Sequence, residues 1–249
     1  MSQYVIGVMS GTSLDAVDVA AVTLQPFALI ATHSVPFSET LYASLLALTQ
    51  PGHNEIERMG VAAVAYGQLV ADAVQALLDQ QGWAADQVQV IGCHGQTIRH
   101  RPDLGFSLQI GDANQITERT GIAVVSDFRQ RDVAAHGQGA PLVPAFHRAI
   151  WQHPTRHRVV LNIGGMANVS VLPAGQPQAV YGFDTGPGNV LMDSWCLTHT
   201  GQTFDESGAW AAQGQVHAAL LAQLQDHGYF GLPAPKSTGR ETFCREWLD

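Results

Sequence analysis

Four groups of residues in this 249-residue sequence have types and spacings suited to chemistry. The first is the segment Gly7-Val-Met-Ser-Gly-Thr-Ser-Leu-Asp-Ala-Val-Asp18. Its turn is rich in Gly, Ser and Thr, so backbone N–H and hydroxyl donors around Gly11, Thr12 and Ser13 can wrap a phosphate. Asp15 and Asp18 can hold a hydrated Mg2+ against that phosphate. An ordinary polar hairpin turn with solvated carboxylates fits the same letters. The segment is not a P-loop, since no Gly-Lys-Ser/Thr follows, and no G-x-G-x-x-G opens a helix elsewhere.

The second group, Asp184-Thr-Gly-Pro-Gly-Asn189, stands between a strand and a helix. Loops at strand ends are where α/β sheets place ligands. An Asp there, with two glycines removing side-chain obstruction, suits a general base near a phosphate or a sugar. A capping or Asx-turn Asp184 is the competing reading. The third group is the Gly164-Gly165 turn ending in Asn168, either a second phosphate cradle or a plain glycine hairpin. The fourth collects His94, Gln96, Thr97, Arg99, His100 and Arg101 with Asp127, Arg129, Arg131 and Asp132. Arginines among amides suit a sugar bearing a carboxylate or acetamido group, and loop ion pairs are the plainer account. Eleven histidines invite a metal reading, but no H-E-x-x-H occurs and His94/His100 lack ligand spacing. Cys93 and His94, being adjacent on a strand, face opposite ways, which favours a buried structural cysteine over a thiol nucleophile.

The elements that must position these groups follow from local signals. Apolar runs at Tyr4–Met9, Val17–Leu24 and Ala28–Val35 predict three short strands joined by tight connections. Ser38 caps a helix bearing Leu41, Leu45 and Leu48, which Pro51-Gly52 ends. A long helix from Asn54 lays Ile56, Met59, Ala63, Tyr66, Val70, Val74 and Leu77 along one face and closes near Gly82. Val88, Val90 and Gly92 alternate into a strand delivering Cys93-His94-Gly95. Asp112 caps a helix ending at Gly121, and a buried strand, Ile122–Val125, follows. The spacing then starts a second strand–glycine–strand unit at Val159, with a strand at Tyr181–Phe183 and a helix to about Leu197. Strands, then helices alternating with strands, predict α/β domains built on mixed sheets. The stretch from Pro141 to His157 reads as the region between them.

Composition narrows the function classes. A net charge of −9 argues against nucleic acid or an anionic membrane as the main partner. With 46% hydrophobic and 13% charged residues the chain can bury a sizeable core. Three scattered cysteines without a C-x-x-C fit a reducing compartment. The start of the chain has no basic n-region and no apolar stretch reaches the length of a membrane span, so a soluble cytoplasmic protein is expected. The second unit has fewer residues than the first, and a missing C-terminal part is expected.

Taken together, the motifs resemble those of the anhydro-N-acetylmuramic acid kinase family. The resemblance rests on Val8-Met-Ser-Gly-Thr-Ser-Leu-Asp-Ala-Val-Asp18, Cys93-His-Gly-Gln-Thr97, Gln109-Ile-Gly-Asp112, Ser126-Asp-Phe-Arg129 and Gly137-Gln-Gly-Ala-Pro-Leu-Val-Pro144. It continues through Leu161-Asn-Ile-Gly-Gly-Met-Ala-Asn168, Phe183-Asp-Thr-Gly-Pro-Gly-Asn189 and Pro235-Lys-Ser-Thr-Gly-Arg240. It implies two actin-like (ribonuclease H-like) domains, over 1–140 and 141–249, with mixed sheets flanked by helices. ATP would lie in the cleft between them, and the second domain would be incomplete in this chain. Ala16 stands where the family usually has Gly.

The resemblance also implies phosphorylation of the 6-oxygen of 1,6-anhydro-N-acetylmuramic acid, with ring opening by water, in cell-wall recycling. Gly11, Thr12, Ser13, Leu14, Asp15, Ala16, Val17 and Asp18 would then form the ATP phosphate segment, with Gly164, Gly165 and Asn168 as the facing turn. Asp15 and Asp18 would bind Mg2+, and Asp184 would be the base that activates water. Gln96, Thr97, Arg129, Arg131, Gly186 and Asn189 would meet the sugar. The expected partners are ATP and the sugar, within a homodimer. A binding module of the same fold, lacking a completed ATP cleft, is the alternative.

Overall fold

A computed structural model describes residues 4–11, 14–239 and 242–248. The chain divides into two compact units, Met1–Gly139 and Ala140–Asp249. In the first, β1 (Tyr4–Met9), β2 (Ala16–Leu24) and β3 (Phe27–Pro36) form an antiparallel meander. Helices α1 (Glu39–Leu48) and α2 (Glu55–Gln81) lead to β4 (Val88–Cys93). Next come β5 (Gln96–Arg101), β6 (Phe106–Ile110), α3 (Ala113–Thr120), β7 (Val124–Val125) and α4 (Phe128–Ala134). The main sheet has the order β3-β2-β1-β4-β7, with β4 parallel to both β1 and β7, and is therefore mixed.

Side-chain alternation explains the packing of this sheet. Val17, Val19 and Ala21 of β2 and Ile6 and Val8 of β1 are buried together with Leu45, Leu48, Tyr66, Val70, Val74 and Leu77 of the helices. Asp18, between Val17 and Val19, therefore faces outward. Ser38 caps α1 by accepting from the Leu41 N–H, and Asp112 caps α3 by accepting from the Asn114 N–H. Gly82 closes α2 in the left-handed conformation. Ile56 departs from the expected apolar stripe and is 81% exposed. Met59 and Ala63 of the same stripe do pack against the core, and Glu55 pairs with Arg99, so the first turn is held down while Ile56 lies on its outer side. In length and mean hydropathy α2 matches a membrane span, against the expectation drawn from uninterrupted apolar runs, yet half of that stretch is buried inside the protein.

Two further expectations change here. Residues 96–101, read as a polar loop, pair with 106–110 as a separate two-stranded ribbon. Residues 128–134, also read as loop, are helical, and the helix starts at an Asp127 with φ 60°.

In the second unit α5 (Pro144–Trp151) begins at a proline, the residue best tolerated in a first helical turn. Its buried His147 shares a 2.8 Å hydrogen bond with Ser170. The stretch 141–157 is thus part of this unit. β8 (Arg158–Ile163), β9 (Met166–Leu172) and β10 (Tyr181–Pro187) make an antiparallel sheet in the order β10-β9-β8. Helix α6 (Asn189–Thr200) follows directly.

Candidate functional site

The turn between β1 and β2 is supported from inside the first unit. Ser10 is buried, and its hydroxyl lies 2.8 Å from the Tyr66 hydroxyl on α2. Gln96, 1% exposed, donates from Nε2 to the Gly11 carbonyl at 3.3 Å. Leu14 anchors the far side, with its side chain in the core and its N–H donating to Gly11 O at 3.3 Å. It does so at φ 61°, a conformation a leucine adopts only when packing enforces it. Ala16 opens β2 opposite Pro36 and has no positive φ, so replacing a glycine there needs no special backbone freedom. Val17 is buried, while Asp15 and Asp18 are exposed. Thr12 and Ser13 lie outside the described residues.

The polar group of the first unit is partly assembled. Arg129 donates from Nε to His94 Nε2 and from Nη1 to the Gly139 carbonyl, both at 2.8 Å. His94 Nδ1 donates to the Gly95 carbonyl at 2.7 Å, so the ring is the neutral Nδ1–H tautomer. Burial, reinforced by the Arg129 charge, pushes His94 down to about 4. The same causes bring His100 to about 4. Thr97 accepts from Gln109 on the β5–β6 ribbon, and Arg131 is exposed on α4. A cavity of about 40 Å³ lined by Cys93, His94, Gln109, Ser126 and Asp127 has room for little more than a water. Gln96 is therefore placed beneath the turn, whereas Thr97, Arg129 and Arg131 lie along the ribbon and α4. Burial raises the Cys93 thiol to about 11, as befits a structural cysteine.

Asp184 organises the second unit. It lies on β10, 5% exposed, directly opposite Asn168 of β9, which in turn pairs with Asn162 of β8. Cross-strand partners share a face, so Asn162, Asn168 and Asp184 form a polar row across the sheet. A single downstream segment holds the aspartate. Its N–H donates to Lys236 O at 3.0 Å, its carbonyl accepts from the Tyr229 hydroxyl at 2.6 Å, and its Oδ2 accepts from the Thr238 N–H at 3.0 Å. Lys236 Nζ secures Tyr229 by donating to the carbonyls of Tyr229 and Phe230 and by lying 4.6 Å above the Tyr229 ring. Burial, then the Asp184 charge, holds the Tyr229 phenol protonated well above its ordinary range. Asn168 Oδ1 and Thr238 Oγ1 are buried without a hydrogen-bond partner. Such orphans cost about 1–3 kcal/mol each.

The Gly164–Gly165 turn docks on the start of α6. Asn189 N–H donates to Gly164 O, and the Gly188 and Val190 N–H groups donate to Gly165 O, at 2.8, 2.8 and 3.3 Å. Gly188 is required there, because a Cβ would lie 2.1 Å from Gly164 O. Gly186, at φ 144°, leaves room for the Phe230 ring. Among the described residues no group of three or more His, Cys, Asp or Glu could hold a metal.

The family model for anhydro-N-acetylmuramic acid kinase matches residues 3–249. The chain belongs to the anhydro-N-acetylmuramic acid kinase family. A relative of that name from Acinetobacter baylyi is 57% identical over the whole chain, which covers 66% of that protein. Relatives from Bordetella petrii and Shewanella halifaxensis are 54% and 51% identical, over 98% and 100% of the chain and 65% and 68% of their own lengths. The chain thus spans about two thirds of the length of the curated relatives it matches.

Within that family setting, the supports reached only through the structure are Tyr66, Tyr229, Lys236 and Thr238. The last two stand in the Pro235-Lys-Ser-Thr-Gly motif, a signal visible in the sequence but without a role there. Tyr66 and Tyr229 carry no local signal, since their hydroxyl partners lie 56 and 45 residues away.

Proposed function

We propose that this protein is an ATP-dependent kinase acting on 1,6-anhydro-N-acetylmuramic acid in peptidoglycan recycling. The products are N-acetylmuramic acid 6-phosphate and ADP. The observation that carries the reading is Asp184, a buried carboxylate fixed through its N–H, C=O and Oδ2 by one segment, in a chain of this family. Asp184 takes a proton from water as the water oxygen bonds to C1 of the sugar. The C1–O6 bond breaks, O6 bonds to the γ-phosphorus of ATP, and the bond from that phosphorus to ADP breaks. Ordinary glycoside hydrolysis needs a second carboxyl group to protonate the leaving oxygen. Here phosphorus captures that oxygen, so one aspartate suffices.

The turn around Gly11 and the Gly164–Gly165 turn are the two phosphate-facing segments, and positioning of phosphate dominates such transfer. Asp15 and Asp18 would hold Mg2+, since exposed hard-oxygen donors suit an ion that keeps most of its waters. When bound, the ion supplies neutralisation of phosphate charge. Thr97, Arg129 and Arg131, with Gly186 and Asn189, are assigned to the sugar, and the Arg guanidinium groups suit its lactyl carboxylate. Three free cysteines fit a cytoplasmic setting, and a homodimer is the assembly we assign.

Incubation with ATP, Mg2+ and the anhydro-sugar should give a product heavier by one phosphate and one water. Absence of that mass would reject the kinase reading, and saturable ATP binding by titration calorimetry would contradict the binding module, which lacks a completed ATP cleft. Asp184→Asn should fold and bind but not turn over, and retained turnover would remove Asp184 from the base role.

A further inference from the structure

Asp184 is flanked by two buried polar atoms that folding leaves unused. Thr238 is 9% exposed, its Oγ1 has no partner, and its own N–H holds Asp184 Oδ2 at 3.0 Å. That bond sets the Thr238 residue beside the carboxylate. On the strand neighbour, Asn168 faces Asp184 in register and its Oδ1 is likewise buried and unpaired. Cβ atoms of such opposed residues lie about 5 Å apart, close enough for one small molecule to touch both side chains.

Resting on the kinase reading, we infer that Asn168 and Thr238 orient the water that Asp184 deprotonates. The chemistry of the orphans selects this ligand. An amide oxygen only accepts hydrogen bonds, and a fully ionised phosphate offers it no proton, whereas water does. A threonine hydroxyl can donate to a water lone pair. The attacking water has two O–H groups and two lone pairs. One O–H points to Asp184, the other to Asn168 Oδ1. One lone pair accepts from Thr238 Oγ1–H, and the remaining pair is aimed at C1. The balance is that of the kinase reaction: the O–C1 bond forms as C1–O6 breaks, the abstracted proton rests on Asp184, and O6 receives the phosphoryl group. Asn168 thereby moves from the phosphate cradle to the water site.

The test measures kcat, the KM values for ATP and sugar, and the pH profile of kcat for Thr238→Val, Thr238→Ser, Asn168→Ala and Asn168→Asp in the whole protein. Thr238→Val keeps the backbone N–H and the side-chain shape, and Thr238→Ser restores the hydroxyl. Thr238→Val and Asn168→Ala should lower kcat about 10- to 100-fold with KM for ATP nearly unchanged, and the serine should recover most of the loss. Asn168→Asp puts a second carboxylate beside Asp184, so the acid limb of the profile should move up by about one pH unit or more. A raised KM for ATP with intact kcat would return Asn168 to the phosphate, and equal losses for valine and serine would make Thr238 merely structural. An unmoved acid limb would also overturn the assignment. Turnover by wild type separates these outcomes from failure of the kinase reading, which would take the inference with it.

Discussion

The contact between the Gly164–Gly165 turn and α6 can be broken with a single methyl group. In Gly188→Ala the new Cβ would sit 2.1 Å from Gly164 O and 3.2 Å from its carbonyl carbon, both backbone atoms that cannot rotate aside. Turn and helix must separate, which loosens three N–H to carbonyl bonds of 2.8, 2.8 and 3.3 Å. At about 1 kcal/mol net each, the loss is about 3 kcal/mol. The matched control is Gly60→Ala on α2, where a Cβ meets nothing within 4 Å and helix propensity favours alanine by roughly 0.5–1 kcal/mol. Urea titrations followed by circular dichroism give both free energies, and turnover is measured on the same samples. The expected pattern is opposite signs for one chemical change, with turnover lost only at position 188. Gly188→Ala within about 1 kcal/mol of wild type and fully active would refute the idea that this docking orders the turn.

Further perturbations probe the remaining supports. His94 is held near 4 against an ordinary 6.5, so the unfolded chain takes up a proton that the folded chain refuses; stability is therefore fully present above pH 6.5 and is lost as pH falls from 6.5 to about 4. The His94 share of the loss reaches ~3 kcal/mol, and because His100 is held near 4 by the same causes, His94→Gln should reduce the slope of the urea-midpoint profile across that window without abolishing it; an unchanged slope would clear His94 of responsibility. Tyr66→Phe removes the 2.8 Å bond to Ser10 and should cost ~1–2 kcal/mol while raising KM for ATP, and an unaltered KM would detach this bond from the phosphate turn. Tyr229→Phe leaves the buried Asp184 carbonyl short of a donor, so ~1–3 kcal/mol of stability and part of kcat should go together; loss of stability alone would separate the tyrosine from catalysis.

Elements announced by local chemistry are legible in the amino-acid sequence. The caps Ser38 and Asp112 and the left-handed Gly82 and Gly121 act within a few residues, so their letters suffice to place helix ends. The two strand–turn–strand units are legible for the same reason. The β5–β6 ribbon is not, because Arg99, His100 and Arg101 break the apolar alternation that marks a strand. Helix α4 is hidden by its start, where Asp127 adopts a positive φ and makes no side-chain cap bond. In the site, Asp184 stands out as a carboxylate after an apolar run, although β10 continues to Pro187 and places it within the strand and not at its end. Its support is illegible because the three bonds described above are long-range, two of them to backbone groups of Lys236 and Thr238 whose direction no side-chain identity specifies.

If the two turns face phosphate as proposed, backbone direction accounts for how a chain of net charge −9 could do so. In a planar trans peptide the C=O and the following N–H point opposite ways. The Gly164 carbonyl is drawn onto the Asn189 N–H of α6, so the Gly165 N–H of the same peptide must point away from the helix. The Gly11 carbonyl is likewise drawn inward, by Gln96 Nε2 and the Leu14 N–H. The Gly11, Gly164 and Gly165 carbonyls are thus spent on internal donors, which keeps these three oxygens from repelling an anion. The donors responsible differ, a buried glutamine in one unit and a helix start in the other, yet the effect on the backbone is the same. On the proposed reading, basic side chains are then needed only where the ligand carries charge away from these turns, and any exposed acidic group farther off than a screening length of about 8 Å would do little to oppose binding.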